Sequence, residues 1–157
     1  MKKNLYLMVG VPGSGKSTYL NDIANPAEDI IISRDEVRYR YVAENEPYFS
    51  KENFVFRVFI NEIQKAIDDP NGPENIYCDT THVTESSRAK VLRSLNLSNV
   101  ASITALVMTT SLDDCLERNS HREGRIHVPE SMIKKMWMNF ESPENDKIFH
   151  MDVIYVD

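Results

Sequence analysis

The stretch Gly10-Val11-Pro12-Gly13-Ser14-Gly15-Lys16-Ser17-Thr18 has the residue types and the spacing, G-x-x-x-x-G-K-[ST], that hold a polyphosphate. Glycines let the backbone turn tightly and approach an anion with no Cβ in the way. Successive N–H groups and the start of a following helix can then point at phosphate oxygens. In this reading Gly10, Pro12, Gly13, Ser14, Gly15 and Thr18 form the loop, and Lys16 neutralises the outer phosphates. Ser17 offers its hydroxyl to the Mg²⁺ that accompanies a nucleoside triphosphate. A Gly-rich turn with a solvated Lys is the alternative, and the flanks argue against it. An apolar run, Asn4 to Val9, precedes the loop, and a stretch able to continue as a helix, Thr18 to Ala24, follows it.

Two further groups can do chemistry beside a triphosphate. A hydroxyl that accepts a phosphoryl group needs a carboxylate to orient it and take its proton. Asp35 is the candidate base, against the alternative of capping the helix that begins near Glu36. Arg38, one helical turn on, shares a face with Asp35 if the stretch is helical. It is suited to grip a second anionic group on the acceptor, the competing role being a surface salt bridge with Glu36 or Glu44. Asp79 follows a short apolar run and is the candidate for the Mg²⁺ shell, with a turn or cap as its other role. The interval Arg118-Asn119-Ser120-His121-Arg122-Glu123-Gly124-Arg125 follows no apolar period. A solvated surface loop is the alternative; beside a P-loop the interval reads better as a mobile lid, spanning about 118–128, that closes Arg side chains over phosphates. His82 has no partner identifiable from sequence and reads as structural.

The elements that must position these residues alternate. Strands are expected over Asn4–Val9, Glu28–Ser33, Asn75–Asp79, Val100–Met108 and Met151–Val156. Ser50 is expected to cap a long helix reaching about Asp69, with Phe54, Val58, Ile60, Ile63 and Ile67 on its apolar face. Thr84 should cap a helix to about Leu95. Ser111 should open another with an Asp in capping-box position, and Pro129 should be the first residue of the next. Five strands separated by helices imply a parallel sheet with helices on both faces. In such sheets ligands bind beyond the carboxyl ends of the strands. That rule alone gathers the P-loop, Asp35, Arg38 and Asp79 at one edge.

Bulk properties narrow the partners. A chain of 157 residues with 41% hydrophobic content suits one domain, 1–157. No segment approaches the roughly 18 apolar residues that span a bilayer, so no membrane partner is expected. The N-terminal Met1-Lys2-Lys3 is followed by an apolar run that ends in the P-loop, which argues against a signal peptide. Cys78 and Cys115 lack CxxC spacing or a His cluster, so reduced buried thiols and a cytoplasmic location are expected. A net charge of −6 argues against strong, sequence-independent binding to a long nucleic acid and leaves room for a local basic site, with contact to about one or two acceptor phosphates expected through Arg38.

Taken together, Gly10 to Thr18, Ser33-Arg34-Asp35-Glu36-Val37-Arg38, Asp79-Thr80-Thr81, and Glu117-Arg118-Asn119 through Arg122, Arg125 and Val128-Pro129 resemble the kinase domain of phage-type polynucleotide 5′-hydroxyl kinases and related small AAA-type ATPases. The resemblance covers nearly the whole chain and keeps the order of every block. It implies an adenylate-kinase-like P-loop NTPase fold with an Arg-bearing lid, and ATP- and Mg²⁺-dependent phosphorylation of the 5′-hydroxyl of a nucleic acid end or a 3′-nucleotide. Lys16 and Ser17 would be the donor and metal contacts, Asp35 the base, and Arg38 the clamp on the acceptor's neighbouring phosphate. Arg118 would be a nucleotide contact, and Arg122 or Arg125 would act on the donor phosphates. Glu123 between the two lid arginines departs from the pattern, as do the acidic charge and the lack of a phosphatase-type domain. A small-molecule kinase for a nucleoside, sugar or nucleotide sugar is the second reading. A nucleotide-binding switch is the third, disfavoured because a switch needs no acceptor base.

Overall fold

A computed structural model describes residues 2–157. Five parallel strands, β1 (Lys3–Val9), β2 (Asp29–Ser33), β3 (Asn75–Asp79), β4 (Val100–Met108) and β5 (Asp152–Val156), form one sheet in the order β2-β3-β1-β4-β5. The described residues hold six α-helices, α1 (Lys16–Ile23), α2 (Arg34–Tyr41), α3 (Glu52–Asp68), α4 (Glu85–Arg93), α5 (Leu112–Ser120) and α6 (Glu130–Met138). All five expected strands are present within a residue of their expected ends. Runs such as Ile30-Ile31-Ile32 place side chains on both faces of a strand, and only a sheet covered on both sides can bury them.

The two faces are covered unequally. Leu20 of α1 packs against Met8, Tyr77, Leu106 and Val156, with Tyr6 stacked on Tyr77 at 4.6 Å between ring centroids. On the other face Leu5, Leu7, Ile32, Ile76 and Cys78 meet Val37 of α2, Val55, Phe59 and Ile63 of α3, and Val91 and Leu92 of α4. Helices α5 and α6 join through Cys115 and Ile133, which pack with Val11 and Val83. Both cysteines are free and buried, and burial pushes the Cys78 thiol up, beyond the range of a reactive thiolate.

Several local expectations are corrected. Helix α3 starts at Glu52 after Lys51, with no side-chain cap, so Ser50 sits in the preceding turn. Its buried face is Val55, Phe59, Ile60, Ile63, Ala66 and Ile67 rather than one running through Phe54 and Val58, and Phe54 is exposed. A stripe through Phe54 and one through Val55 differ by a single position. Packing against β2 and β3 selects the second. Pro129 precedes α6 with extended backbone instead of opening it. Thr84 caps α4 in a full capping box with Ser87. Ser111 caps α5 by accepting from the Asp114 N–H at 3.2 Å. Among the described residues no helix is long and apolar enough to cross a membrane.

Candidate phosphoryl-transfer site

The P-loop leaves β1 at Val9 and is tied at once to the neighbouring strand's exit, the Gly10 N–H donating to the Thr81 carbonyl at 3.0 Å. Gly13 and Gly15 have φ of 84° and 93°, the left-handed region in which a side chain is strained. A Cβ on Gly13 would also lie 2.5 Å from the Cys115 carbonyl oxygen, so both backbone shape and space require glycine there. Gly15 ends the loop at the N-terminus of α1, with no side-chain cap and no acidic residue in the first turn. The first N–H groups of α1 and the positive end of its dipole are therefore left for an anion. Lys16 lies back across the loop, Nζ donating to the Gly10 and Val11 carbonyls at 2.8 and 3.1 Å. Burial lowers its pKa, the carboxylates of Asp79 and Asp35 oppose that shift, and the charge of Arg122 adds to it. Ser17 and Thr18 are exposed and Pro12 is half-buried. Ser14 is buried, and its carbonyl accepts from Thr110 Oγ1 at 2.7 Å.

Register brings the second group alongside. Ser33 pairs with Asp79 across β2 and β3, so the start of α2 and the end of β3 leave the sheet side by side. Asp79 is half-buried. Desolvation raises its pKa, with Lys16 acting against the shift and Asp35 and Glu36 adding to it. The α2 cap is Ser33, whose Oγ accepts the Glu36 N–H at 3.3 Å, so Asp35 is released from the capping role. Asp35 Oδ1 accepts from the Tyr48 hydroxyl at 2.7 Å and from Arg38 Nη1. Its Oδ2 has no partner among the described residues, and the side chain is 57% exposed. Burial and the adjacent Asp35 carboxylate push the Tyr48 pKa far up, so the phenol remains a donor at any physiological pH.

Arg38 is 4% exposed. Its Nη2 donates to both oxygens of Glu52 at 2.7 and 2.8 Å, and its Nη1 serves Asp35 and the Tyr48 oxygen. Arg34 reaches the same Glu52 at 2.5 Å. The salt-bridge partners of Arg38 are therefore Glu52 and Asp35, not Glu36 or Glu44. Glu52 and Tyr48 went unrecognised in the sequence because both lie beyond a connection whose path no local pattern fixes.

The lid segment divides. Arg118 belongs to the last turn of α5, where its Nη1 lies 3.4 Å from the Gly13 carbonyl and packs against Gly15. Asn119, 2% exposed, closes the loop that follows, donating to the Val128 carbonyl at 2.6 Å and accepting the Val128 N–H at 2.9 Å. Within that loop only Gly124–Ile126 is regular, as a 3-10 turn. Arg122 is half-buried and its charge is felt at Lys16. Arg125 crosses the other way, donating to the Val42 carbonyl at 2.6 Å with its guanidinium 4.5 Å from the Tyr39 ring centroid. His82 is structural, as expected: 2% exposed, with Nδ1–H donating to the Met8 carbonyl at 2.8 Å. Burial lowers its pKa to about 4.

Sheet order, phosphate loop and lid define the P-loop kinase class. The chain belongs to the AAA domain family, whose model matches residues 5–143. It is 27% identical over 156 residues to a putative bifunctional polynucleotide kinase/RNA ligase of Autographa californica nuclear polyhedrosis virus, a match covering 91% of this chain and 22% of the relative. The chain thus spans about a fifth of that protein's length. Among solved structures, a chain of the Pnkp1/Rnl/Hen1 RNA repair complex is similar at 18% identity, with TM-score 0.70 over 88% of this chain and 44% of the other. An unliganded sugar kinase from Janibacter sp. HTCC2649 is similar at 20% identity, with TM-score 0.66 over 99% and 85%. At these identities the solved structures speak for the fold.

Proposed function

We propose that the chain transfers the γ-phosphoryl group of ATP to a hydroxyl, namely the 5′-hydroxyl of a nucleic acid end or of a 3′-nucleotide. The carrying observation is the state of Asp35. Tyr48 and Arg38 hold Oδ1, Oδ2 is free, and the carboxylate stands at the same sheet edge as Lys16. Oδ2 takes the proton of the acceptor hydroxyl as its oxygen bonds to phosphorus and the bond to the departing ADP breaks. Lys16, Arg118 and Arg122 bind the donor phosphates, together with the free N–H groups of α1. The residues also suit Mg²⁺. Among the described residues there is no cluster of three or more His, Cys, Asp or Glu, so a pair such as Ser17 and Asp79 fits an ion that takes its remaining ligands from phosphate and water. Bound there, Mg²⁺ would neutralise charge on the β- and γ-oxygens. In this reading Arg38 orients the base through Oδ1, and it grips an acceptor phosphate only by exchanging Glu52 for it.

Similarity to a polynucleotide kinase/RNA ligase over 91% of the chain supports a nucleic acid acceptor. One observation favours the second reading, a small-molecule kinase: both terminal nitrogens of Arg38 already serve carboxylates or a phenol. Labelled ATP with a panel of 5′-hydroxyl oligonucleotides, 3′-mononucleotides, nucleosides and sugars decides between the two. Label on 5′-hydroxyl ends supports the first reading, and label on sugars or nucleosides alone replaces it with the second.

A further inference from the structure

Aromatic rings that the core does not use stand at the end of α2, the helix that carries Asp35, and on the segment that leads into α3. Phe49 is 53% exposed, and Tyr41 and Phe54 are each 40% exposed, although α3 buries Phe59 completely and Phe56 in part. The rings are ordered in two edge-to-face pairs. Phe49 meets Tyr48 at 4.8 Å and Tyr41 meets Phe54 at 5.0 Å between centroids. The Lys51 ammonium joins the pairs, donating to the Tyr41 carbonyl at 2.8 Å from the segment that carries Phe49. The inner pair adjoins the base, since the Tyr48 hydroxyl bonds Asp35 and the Arg38 guanidinium lies 4.5 Å from the Tyr48 centroid. Arg40 and Arg57 lie 5.9 and 6.0 Å from the Tyr41 and Phe54 centroids.

Charge does not explain this strip. Arg38 is matched by Glu52 and Asp35, Arg40 by Glu62 at 2.8 Å, and Lys51 by Glu46 at 3.4 Å, which leaves Arg57, over Phe54, as the one strip cation with no carboxylate partner among the described residues. Glu44 stands nearby, 85% exposed. A polyanion held by its phosphates would need several surplus cations here. What the strip offers is π-faces at intervals, the means by which single strands are held independently of sequence. A single sugar can lay its C–H face on one ring, whereas successive bases of a strand can occupy several. Resting on the reading of the acceptor as a nucleic acid 5′ end, we propose that Phe49, Tyr41 and Phe54 form a stacking track for the first unpaired bases of a single-stranded polynucleotide whose terminal 5′-hydroxyl reaches Asp35.

The test compares kcat/KM for a 3′-phosphorylated thymidine mononucleotide with that for 5′-hydroxyl oligothymidylates of increasing length, in wild type, Phe54→Ala, Tyr41→Ala and Phe54→Trp. Stacking of one or two bases predicts a rise of about tenfold from mononucleotide to short oligonucleotide. The rise should change less than about twofold as salt goes from about 50 to 200 mM, since few counterions are released. Either alanine variant should remove most of the rise without altering the mononucleotide rate, and Phe54→Trp should keep it. Because these rings are partly exposed, the variants should unfold within a few degrees of wild type. Equal rates at all lengths in wild type would overturn the track while leaving the 5′-hydroxyl acceptor in place. A length effect that survives both alanine variants, or one that falls steeply with salt, would also overturn it. So would self-association of wild type that Phe54→Ala abolishes, which would make the strip a protein interface. Phosphorylation of sugars alone would remove the underlying acceptor reading and the track with it.

Discussion

Lys16 donates only to the backbone carbonyls of Gly10 and Val11 and Arg118 only to that of Gly13, whereas Arg34 and Arg38 are both fixed on Glu52, with Arg38 also on Asp35. Among the described residues no carboxylate pairs directly with Lys16, Arg118 or Arg122. One half of the site keeps its cations available and the other cancels them. A half with free charge suits a ligand defined by its charge, such as a triphosphate, and accepts any molecule that carries one. A half with cancelled charge must choose its ligand by shape, hydrogen bonding and aromatic contact. Discrimination between acceptors is therefore expected to reside at α2 and the start of α3.

The largest effect separates chemistry from binding. Asp35→Asn keeps the shape but cannot take a proton, so single-turnover transfer should fall by roughly 10²–10⁴ while calorimetry finds ATP affinity unchanged. A collapse of ATP binding with transfer retained would move Asp35 to the donor half as a metal ligand. Lys16→Ala breaks the donor half itself. Turnover should drop by at least about 10², with the melting temperature preserved because Lys16 contacts loop carbonyls and no core residue. Near-normal turnover in that folded variant would refute the phosphate-loop assignment.

A third perturbation reaches only the floor of the donor half. The pKa of His82, about 4, lies below the ordinary value of 6.5, so folding favours the neutral ring. That stabilisation is complete above about pH 6.5 and is lost as pH falls toward 4. The loss between about pH 7 and pH 4.5 is about 2 kcal/mol from this group. His82 has φ of 47°, which Asn tolerates. Urea denaturation of His82→Asn should accordingly show a shallower acid limb than wild type, and parallel limbs would contradict the assignment. The smallest effect sharpens the acceptor half. Tyr48→Phe removes the longer bond it accepts from Arg38 and the one it donates to Asp35, the latter worth about 1 kcal/mol, so transfer should slow by about fivefold with the KM for ATP unmoved, and an unchanged rate would leave Arg38 as the sole support of Asp35.

The same division marks what could be read from sequence. The donor half is nearly contiguous, and its glycines, lysine and hydroxyl sit at spacings that only a strand–loop–helix turn can use. Gly10 to Thr18 and all five strands were legible for that reason. The rule that strand ends converge was enough to bring Asp35, Arg38 and Asp79 to one sheet edge, where the structure also has them. Their partners were not legible, because Glu52 and Tyr48 arrive through the irregular stretch 42–51, where neither period nor turn chemistry fixes the path. Phe54 was misassigned to the core for a related reason: an apolar residue in the first turn of a helix fits two adjacent stripes, and only the sheet it packs on chooses between them. The two lid arginines diverge through a single local device, the reciprocal pair between Asn119 and Val128, which an unremarkable Asn does not announce.

Arg88 is fully buried. It meets both oxygens of Asp146 at 2.7 Å and also donates to the carbonyls of His82 and Glu141 at 2.7 and 2.8 Å. A guanidinium so placed cannot be left half-bonded, since an uncompensated buried charge costs several kcal/mol. The connection from β3 to α4, the start of α4 and the segment 141–146 must therefore open together or stay closed. In native-state hydrogen exchange these stretches, distant in sequence, should share one opening free energy and exchange as a single unit, while the lid loop between α5 and α6 exchanges earlier.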